Sequence, residues 1–254
     1  MQKIVHGTIY KNSFRQRKIR HKSGVVMKKK VTCIVAAGGS GTRMGASINK
    51  LFLKVSDIPV IVHTLLALNN CDAIDEIIIS AKEDEIIKIS ELVSVFSISK
   101  VKTIVKGGKT RGESVLSASK EISLDTDFVM IHDGARPLVS NEILINTVNA
   151  AERYNAAACG VKPKCTLKSI DNGFISSTVD REKTIEIQTP QVFKKELFDV
   201  MYSHNVDVIN SATDDCILAE ISGARIFVTE GSYENIKITT PEDLEIAELL
   251  IERE

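Results

Sequence analysis

No stretch of the sequence approaches the ~18 consecutive apolar residues that a membrane-spanning helix needs, and the longest apolar runs, such as Val31–Ala37, have the length of a strand. A transmembrane protein is excluded, and no membrane partner is expected. The five cysteines, at positions 33, 71, 159, 165 and 216, form no C-x-x-C pair, and their odd number leaves one thiol over in any pairing scheme. A disulfide scaffold is therefore excluded, and a reducing, cytoplasmic compartment is expected. The five histidines are scattered, without H-E-x-x-H or a Cys/His cluster, so a zinc site is not expected and any metal should be a hard ion held by oxygen.

Acidic residues are missing from residues 1–30, which hold ten Lys and Arg. The chain is formally neutral, so residues 31–254 carry 23 basic and 33 acidic groups, a net charge of about −10. An acidic body argues against nucleic acid as a partner. The basic leader has neither helical periodicity nor the apolar core of a signal peptide, and blocks of like charge repel. It reads as a poorly ordered extension or misplaced start, with Met27 just before the first strand. A transit peptide would want more serine, and a nucleic-acid arm has only the charge in its favour. With 254 residues, 43 % apolar and 26 % charged, the composition is that of a folded protein of one large or two small domains, not of a disordered chain.

From residue 31 onward, short β-branched runs alternate with amphipathic stretches, the pattern of a mostly parallel α/β sheet flanked by helices. Strands are expected at Thr32–Ala36, Glu76–Ser80, Lys102–Val105, Phe128–Ile131, Ala157–Val161, Arg225–Thr229 and Asn235–Ile238. Helices are expected from Pro59 to Asn69 and over Asp84–Val95, Gly112–Ile122, Asn141–Tyr154, Lys194–Ser203, Thr213–Ser222 and Pro241–Glu252, the last capped by Thr240. Residues 162–187 break the alternation. They surround an Asn172-Gly173 turn and read as a protruding β-hairpin arm. Without an internal repeat or linker, 31–254 is expected to be a single domain carrying that arm.

Chemistry concentrates where strands end, which is where open α/β sheets bind ligands. The first strand runs into Ala36-Ala37-Gly38-Gly39-Ser40-Gly41-Thr42-Arg43-Met44-Gly45, whose small residues let backbone N–H groups approach phosphate oxygens while Arg43 adds a fixed charge. A dinucleotide fingerprint would need glycine at 44, where Met44 stands. Gly107-Gly108-Lys109-Thr110 imitates the end of a P-loop but lacks its first glycine, because Thr103 occupies that place. With Ser114 it forms either a second wall of a nucleotide pocket or a plain turn. In His132-Asp133-Gly134-Ala135-Arg136, the acid suits a divalent ion or ribose hydroxyls and Arg136 suits phosphate or a carboxylate, while His132 reads as a packed, hydrogen-bonded residue rather than a base. Gln188-Thr189-Pro190-Gln191 and Asn235–Thr240 add polar residues at element boundaries, and Lys237 alone reads as a solvated surface group.

Taken together, AAGGSGTRMG, Asn49-Lys50, GGKTRGESV, HDGARPLV, CTLKS, TVDR, QTPQVF, TDD and NIKITTPEDL, in this order over residues 31–251, resemble the sugar-phosphate cytidylyltransferases, most closely the 2-C-methyl-D-erythritol 4-phosphate branch. The resemblance implies a Rossmann-like nucleotidyltransferase sheet and a homodimer clasped through the arm. It implies transfer of a cytidylyl group from CTP to 2-C-methyl-D-erythritol 4-phosphate in non-mevalonate isoprenoid synthesis, with Mg²⁺ as the divalent cation. By the same resemblance, Arg43 and Lys50 stabilise charge on the CTP phosphates, and Ala36, Ala37, Gly38, Gly39, Ser40 and Gly41 wrap the triphosphate. Gly108, Lys109 and Ser114 line the cytosine pocket. Asp133, Gly134 and Arg136 lie near ribose, phosphates and metal, with Asp133 the metal ligand, and Thr189 is a further nucleotide contact. Arg181 and Lys237 position the sugar phosphate, with Thr166 and Lys168 of the arm nearby. Leu51 and Ile185 depart from the family pattern, which usually has glutamine and often an aromatic residue there. The neighbouring ribitol 5-phosphate family tends to HDAVRP where this chain has HDGARP, and a silent nucleotide-binding homologue would not need both phosphate clamps.

Overall fold

The computed structural model describes residues 28–38 and 49–253. Gly39, Ser40, Gly41 and Arg43, and residues 1–27 of the basic extension, lie outside the described residues.

Seven strands form the central sheet: β1 (Val31–Ala36), β4 (Glu76–Ala81), β5 (Val101–Lys106), β6 (Phe128–Asp133), β7 (Ala156–Val161), β10 (Glu186–Lys194) and β11 (Phe227–Glu230). Their order is β11-β7-β10-β6-β1-β4-β5, and every neighbouring pair is parallel except the two made by β10. A short hairpin, β2 (Lys54–Val55) with β3 (Ile58–Pro59), turns through Ser56 and Asp57, both at positive φ. The remaining pair, β8 (Lys168–Asp171) and β9 (Phe174–Thr178), is the expected arm. Its turn places Asn172 at φ 48° and Gly173 at φ 85°, the left-handed pair that Asn-Gly supplies at least cost.

Strand residues alternate between two cores, as a pleated sheet covered on both faces requires. Cys33, Val35, Ile77, Ile79 and Met130 face α1 (Val60–Asn69), α2 (Ile86–Val95), α4 (Asn141–Tyr154) and α8 (Pro241–Ile251). Ile34, Ile78, Val129 and Ile131 face α3 (Arg111–Ser119), α5 (Lys195–Met201), α6 (Val206–Ser211) and α7 (Asp215–Ile221). Helix starts follow side-chain oxygens that accept otherwise orphaned N–H groups: Thr110 for α3, Ser140 for α4, Asn205 for α6 and Asp214 for α7. Before β1, Lys28, Lys29 and Lys30 pair with Asp75, Asp127 and Asp125, at the amino ends of β1, β4 and β6, away from the strand ends that carry the site.

Two expectations change. Asn235–Ile238 is not a strand but a loop, because Asn235 spends its side chain on the Thr189 carbonyl and on Gln188 while the Ile238 N–H donates to the Ala135 carbonyl. Gln188–Gln191, read as a boundary, lies inside β10, where the register shifts between Ile187 and Gln191 and so accommodates Pro190. Helix α6 had no strong sequence signal. It packs on Gly112, where a Cβ would come within 2.6 Å of both Cγ2 and the backbone oxygen of Ile209. Gly112→Ala is accordingly expected to destabilise the fold by about 1–3 kcal/mol, read as a lowered denaturant midpoint at unchanged m-value.

Candidate functional site

The chain runs from β1 out to β4 and β5 and then returns to place β6 on the other side of β1, so the order in which strands are added reverses between the parallel neighbours β1 and β6. Their carboxyl ends, Ala36 and Asp133, are register partners. The Gly134 N–H closes the gap by donating to the Ala36 carbonyl at 3.0 Å.

Asp133 is 7 % exposed, and three cations converge on its carboxylate: Lys237 Nζ at 2.8 Å, Arg111 Nε at 3.4 Å and Arg136 Nε at 3.6 Å. Burial works against ionisation there, but Arg111, Lys237 and Arg136 together outweigh it and hold the carboxyl well below the usual carboxylate range. The backbone N–H of Asp133 donates to Thr189 Oγ1 at 3.0 Å, and Arg136 Nη1 donates to the Asn235 carbonyl at 2.6 Å. Arg111, Asp133, Arg136, Thr189 and Lys237 line a small cavity of about 120 Å³ with Gln188, Gln191 and Asp214. Of the sequence-derived candidates, Asp133, Gly134, Arg136, Thr189 and Lys237 are thus brought together. Lys237, which alone read as a solvated surface group, is instead one arm of this cluster.

Beside it, the ends of β1, β4 and β5 bring Gly38, Ser80 and Gly107 around the first turn of α3. Ser114 Oγ accepts from the Gly108 N–H at 3.2 Å and donates to the Thr110 carbonyl at 2.8 Å. A Cβ on Gly107 would lie 2.8 Å from Ser114 Oγ and 2.9 Å from Ser80 Oγ, and one on Gly38 3.2 Å from Ser114 Oγ, so glycine is needed where these walls approach. Glu113 accepts from the Lys109 N–H at 2.7 Å and, through its other oxygen, from Asn210 Nδ2 at 3.0 Å, which ties this loop to α6. Lys50 opens a 3-10 turn whose position is set by Asn49: its amide donates to both oxygens of the buried Glu85, at 2.8 and 2.9 Å. Ala36 and Ala37 lead into the glycine loop, and the Ala37 N–H donates to the Ser80 carbonyl.

The arm candidates stand apart. Arg181 Nη1 donates to the Lys164 carbonyl at 3.4 Å and Lys168 Nζ to Thr178 Oγ1 at 2.6 Å, so their bonds lie within the arm, as does Thr166. His132 is packed as expected, but neither ring nitrogen has a hydrogen bond of ordinary geometry. Burial pushes its pKa down to about 4, and the ring stays neutral. Sequence reasoning missed two charged residues. Arg111 reaches Asp133 from α3, and Asp215, 1 % exposed, lies 2.6 Å from Arg111 Nη1. Both stood in quoted motifs, GGKTRGESV and TDD, but a charged side chain carries no sequence mark of being buried.

The model of the family described as 2-C-methyl-D-erythritol 4-phosphate cytidylyltransferase matches residues 31–253. A protein of that name from Clostridium tetani is 42 % identical over 231 residues, covering 91 % of this chain and 94 % of the relative. One from Bacillus cereus is 41 % identical over 217 residues, covering 85 % and 96 %. Among solved structures, 4-diphosphocytidyl-2C-methyl-D-erythritol synthase from Anaerococcus prevotii superposes with a TM-score of 0.79 at 32 % identity, over 89 % of this chain and 97 % of that one. The Thermus thermophilus cytidylyltransferase superposes with a TM-score of 0.70 at 26 % identity, over 88 % and 99 %. With its strand order, its cation-ringed Asp133 and these matches along nearly all of residues 31–253, the chain belongs to the 2-C-methyl-D-erythritol 4-phosphate cytidylyltransferase family.

Proposed function

We propose that the protein transfers the cytidylyl group of CTP to 2-C-methyl-D-erythritol 4-phosphate, releasing pyrophosphate. The observation that carries this reading is the convergence of Arg111, Arg136 and Lys237 on Asp133 at the sheet's reversal point, beside a glycine-walled pocket. A phosphate monoester is already an anionic nucleophile near neutral pH, so its oxygen attacks the α-phosphorus of CTP without a general base. The oxygen–phosphorus bond to the leaving pyrophosphate breaks as the new one forms. The protein has to bring two polyanions together and balance the charge of the transition state. Arg43 and Lys50 serve the CTP phosphates along the Ala36–Gly41 loop, and Gly108, Lys109 and Ser114 hold the cytosine. Gly134, Arg136 and Thr189 orient the ribose and phosphates, and Lys237 leaves Asp133 for the phosphate of the sugar.

Among the described residues there is no group of three or more His, Cys, Asp or Glu that could hold a metal. Asp133 nevertheless fits Mg²⁺, which at nucleotide sites takes one or two carboxylates and completes its shell with phosphate oxygens and water. When bound, Mg²⁺ would offset charge on the triphosphate.

Arg181 and Lys168 make their hydrogen bonds within the arm, which also carries Thr166, and the arm exposes Ile170, Phe174 and Ile175 at 72 %, 79 % and 67 %. An apolar surface of this kind supports a homodimer in which each arm completes the partner's sugar-phosphate site, and a monomer mass at micromolar concentration would refute it. Cys33, Cys71, Cys159, Cys165 and Cys216 are all free, which supports a reducing, cytoplasmic location; recovery of the protein outside the soluble cell fraction would count against it.

The deciding assay follows pyrophosphate release from CTP and Mg²⁺ with each sugar phosphate. Turnover with 2-C-methyl-D-erythritol 4-phosphate is expected. Preference for ribitol 5-phosphate, or CTP binding without product at saturating substrate, would overturn the reading.

A further inference from the structure

Beneath the site lies a polar network for which the transfer, as derived above, has no use. Asp215, the first residue of α7, is 1 % exposed. One of its carboxylate oxygens accepts from the Tyr202 hydroxyl, and the other lies 2.6 Å from Arg111 Nη1. Its backbone N–H donates to Gln191 Oε1 at 3.1 Å, on the strand that also carries Thr189, whose hydroxyl accepts from the Asp133 N–H. Taking such a carboxylate out of water is costly, and well-packed apolar residues often serve packing as well or better. Arg111 itself is held strongly protonated: burial opposes its charge, and Asp215 and Asp133 outweigh that opposition.

The guanidinium is one rigid plane that faces two carboxylates: Nε donates to Asp133 at 3.4 Å, while Nη1 sits 2.6 Å from Asp215 as an ion pair. We propose that Asp215 holds Arg111 in this orientation and that Arg111, so held, positions the Asp133 carboxylate, which makes α7 part of the machinery of the site. This inference rests on the cytidylyl-transfer reading of Asp133. During transfer Lys237 and Arg136 turn toward substrate phosphates, and Asp133 loses two of its three cations. Arg111 cannot follow them, because its other edge is tied to Asp215. The carboxylate therefore keeps its place and a counter-charge while the other two cations are engaged. Tyr202 fixes the far oxygen of Asp215, so the chain of positioning runs from Tyr202 through Asp215 and Arg111 to Asp133.

A double-mutant cycle on the full chain tests the inference, with kcat and the KM for CTP measured separately and CTP affinity followed by calorimetry. Arg111→Met and Asp215→Asn are each expected to lower kcat about 100-fold, the scale of a small misplacement in an active site, with KM for CTP changed less than about threefold. The double variant is expected to fall no further than the worse single one, because Asp215 acts through Arg111. Independent, multiplying losses would overturn the proposal, as would wild-type kcat in a folded Arg111→Met protein. Arg111→Lys keeps the charge without the fork and is expected to recover less than a tenth of the activity; full rescue would reduce the role to charge alone and overturn it. Should Asp215→Asn fail to fold, Tyr202→Phe takes its place in the cycle. It is expected to lower kcat several-fold in the parent and not at all in Arg111→Met, and an equal loss in both backgrounds refutes the chain of contacts. A parent protein that neither binds CTP nor releases pyrophosphate overturns the functional reading and this inference with it. An active parent with unaffected variants overturns this inference alone.

Discussion

Replacing Arg43 or Lys50 with alanine is expected to cut turnover by about 10²–10³-fold, the usual loss when a preorganised charge donor is removed from a transition state. In-line displacement at the α-phosphorus gathers negative charge on the transferring group and on the departing pyrophosphate, and His132, buried beside Asp133 and kept neutral with its pKa pushed down to about 4, adds no cation there. Lys50 stands at the start of its 3-10 turn beside Asn49, whose amide is anchored on both oxygens of Glu85. That anchor fixes the backbone from which the lysine reaches, so the side chain serves by position as well as by charge. Arg43 follows the glycines after β1 in the sequence, where phosphate-binding backbone and a fixed guanidinium belong together. Lys50 is only part-buried, so for Lys50→Ala a melting temperature within a degree or two of the parent is expected. Steady-state pyrophosphate release, measured beside thermal unfolding, checks both halves of this expectation. Near-parental turnover in either variant would sink the assignment of these two cations.

The sequence carries the frame of the fold because that frame depends on short-range pattern. Helix α4 falls where its apolar spacing and Ser140 cap place it, and the Asn172-Gly173 turn of the arm follows from residues that tolerate left-handed backbone. Long-range pairing is harder to read. Strand β10 contains Pro190, three uncharged polar residues and two charged ones, and only its position between β6 and β7, with a register shift, makes it a strand. Asn235–Ile238 errs the other way: its alternating pattern suits a strand, but tertiary partners claim its hydrogen bonds. At the site, glycine-rich loops and charged residues at strand ends are visible in one dimension, which marks Asp133 and Arg136 as candidates, while Lys237 is marked only by the family resemblance. What the sequence does not display is who neutralises whom. Lys237 looks solvated until it is found 2.8 Å from Asp133, and Arg111 and Asp215 look like ordinary helix-start residues until the half-buried arginine proves to be paired with the buried aspartate.

The largest expected effect on stability comes from Asp133→Asn. The change preserves shape and removes one charge from a cluster in which Arg111, Arg136 and Lys237 all lie within 3.6 Å of the carboxylate. Asp215 remains as a partner for Arg111 alone, so Arg136 and Lys237 lose the carboxylate that pairs with both of them. Breaking a buried ion pair from one side costs about 3–5 kcal/mol, which for a chain of this size lowers Tm by on the order of 10 °C. In the parent, the carboxyl of Asp133 lies well below its usual range. Its contribution to stability is therefore complete at any pH above the unfolded carboxylate value and is lost only as pH falls through the lowered, strongly acidic one. The difference in stability between parent and variant should accordingly be flat from about pH 5 to pH 8, the range in which an unperturbed carboxylate stays ionised. The uncompensated cations also make a testable sign. Pyrophosphate, which finds Arg136 and Lys237 already engaged in the parent, should raise the melting temperature of the variant more than that of the parent, while catalysis stays lost because the carboxylate is missing. A variant that melts with the parent, or gains less from pyrophosphate than the parent does, would mean that the three cations are not held at this site by Asp133.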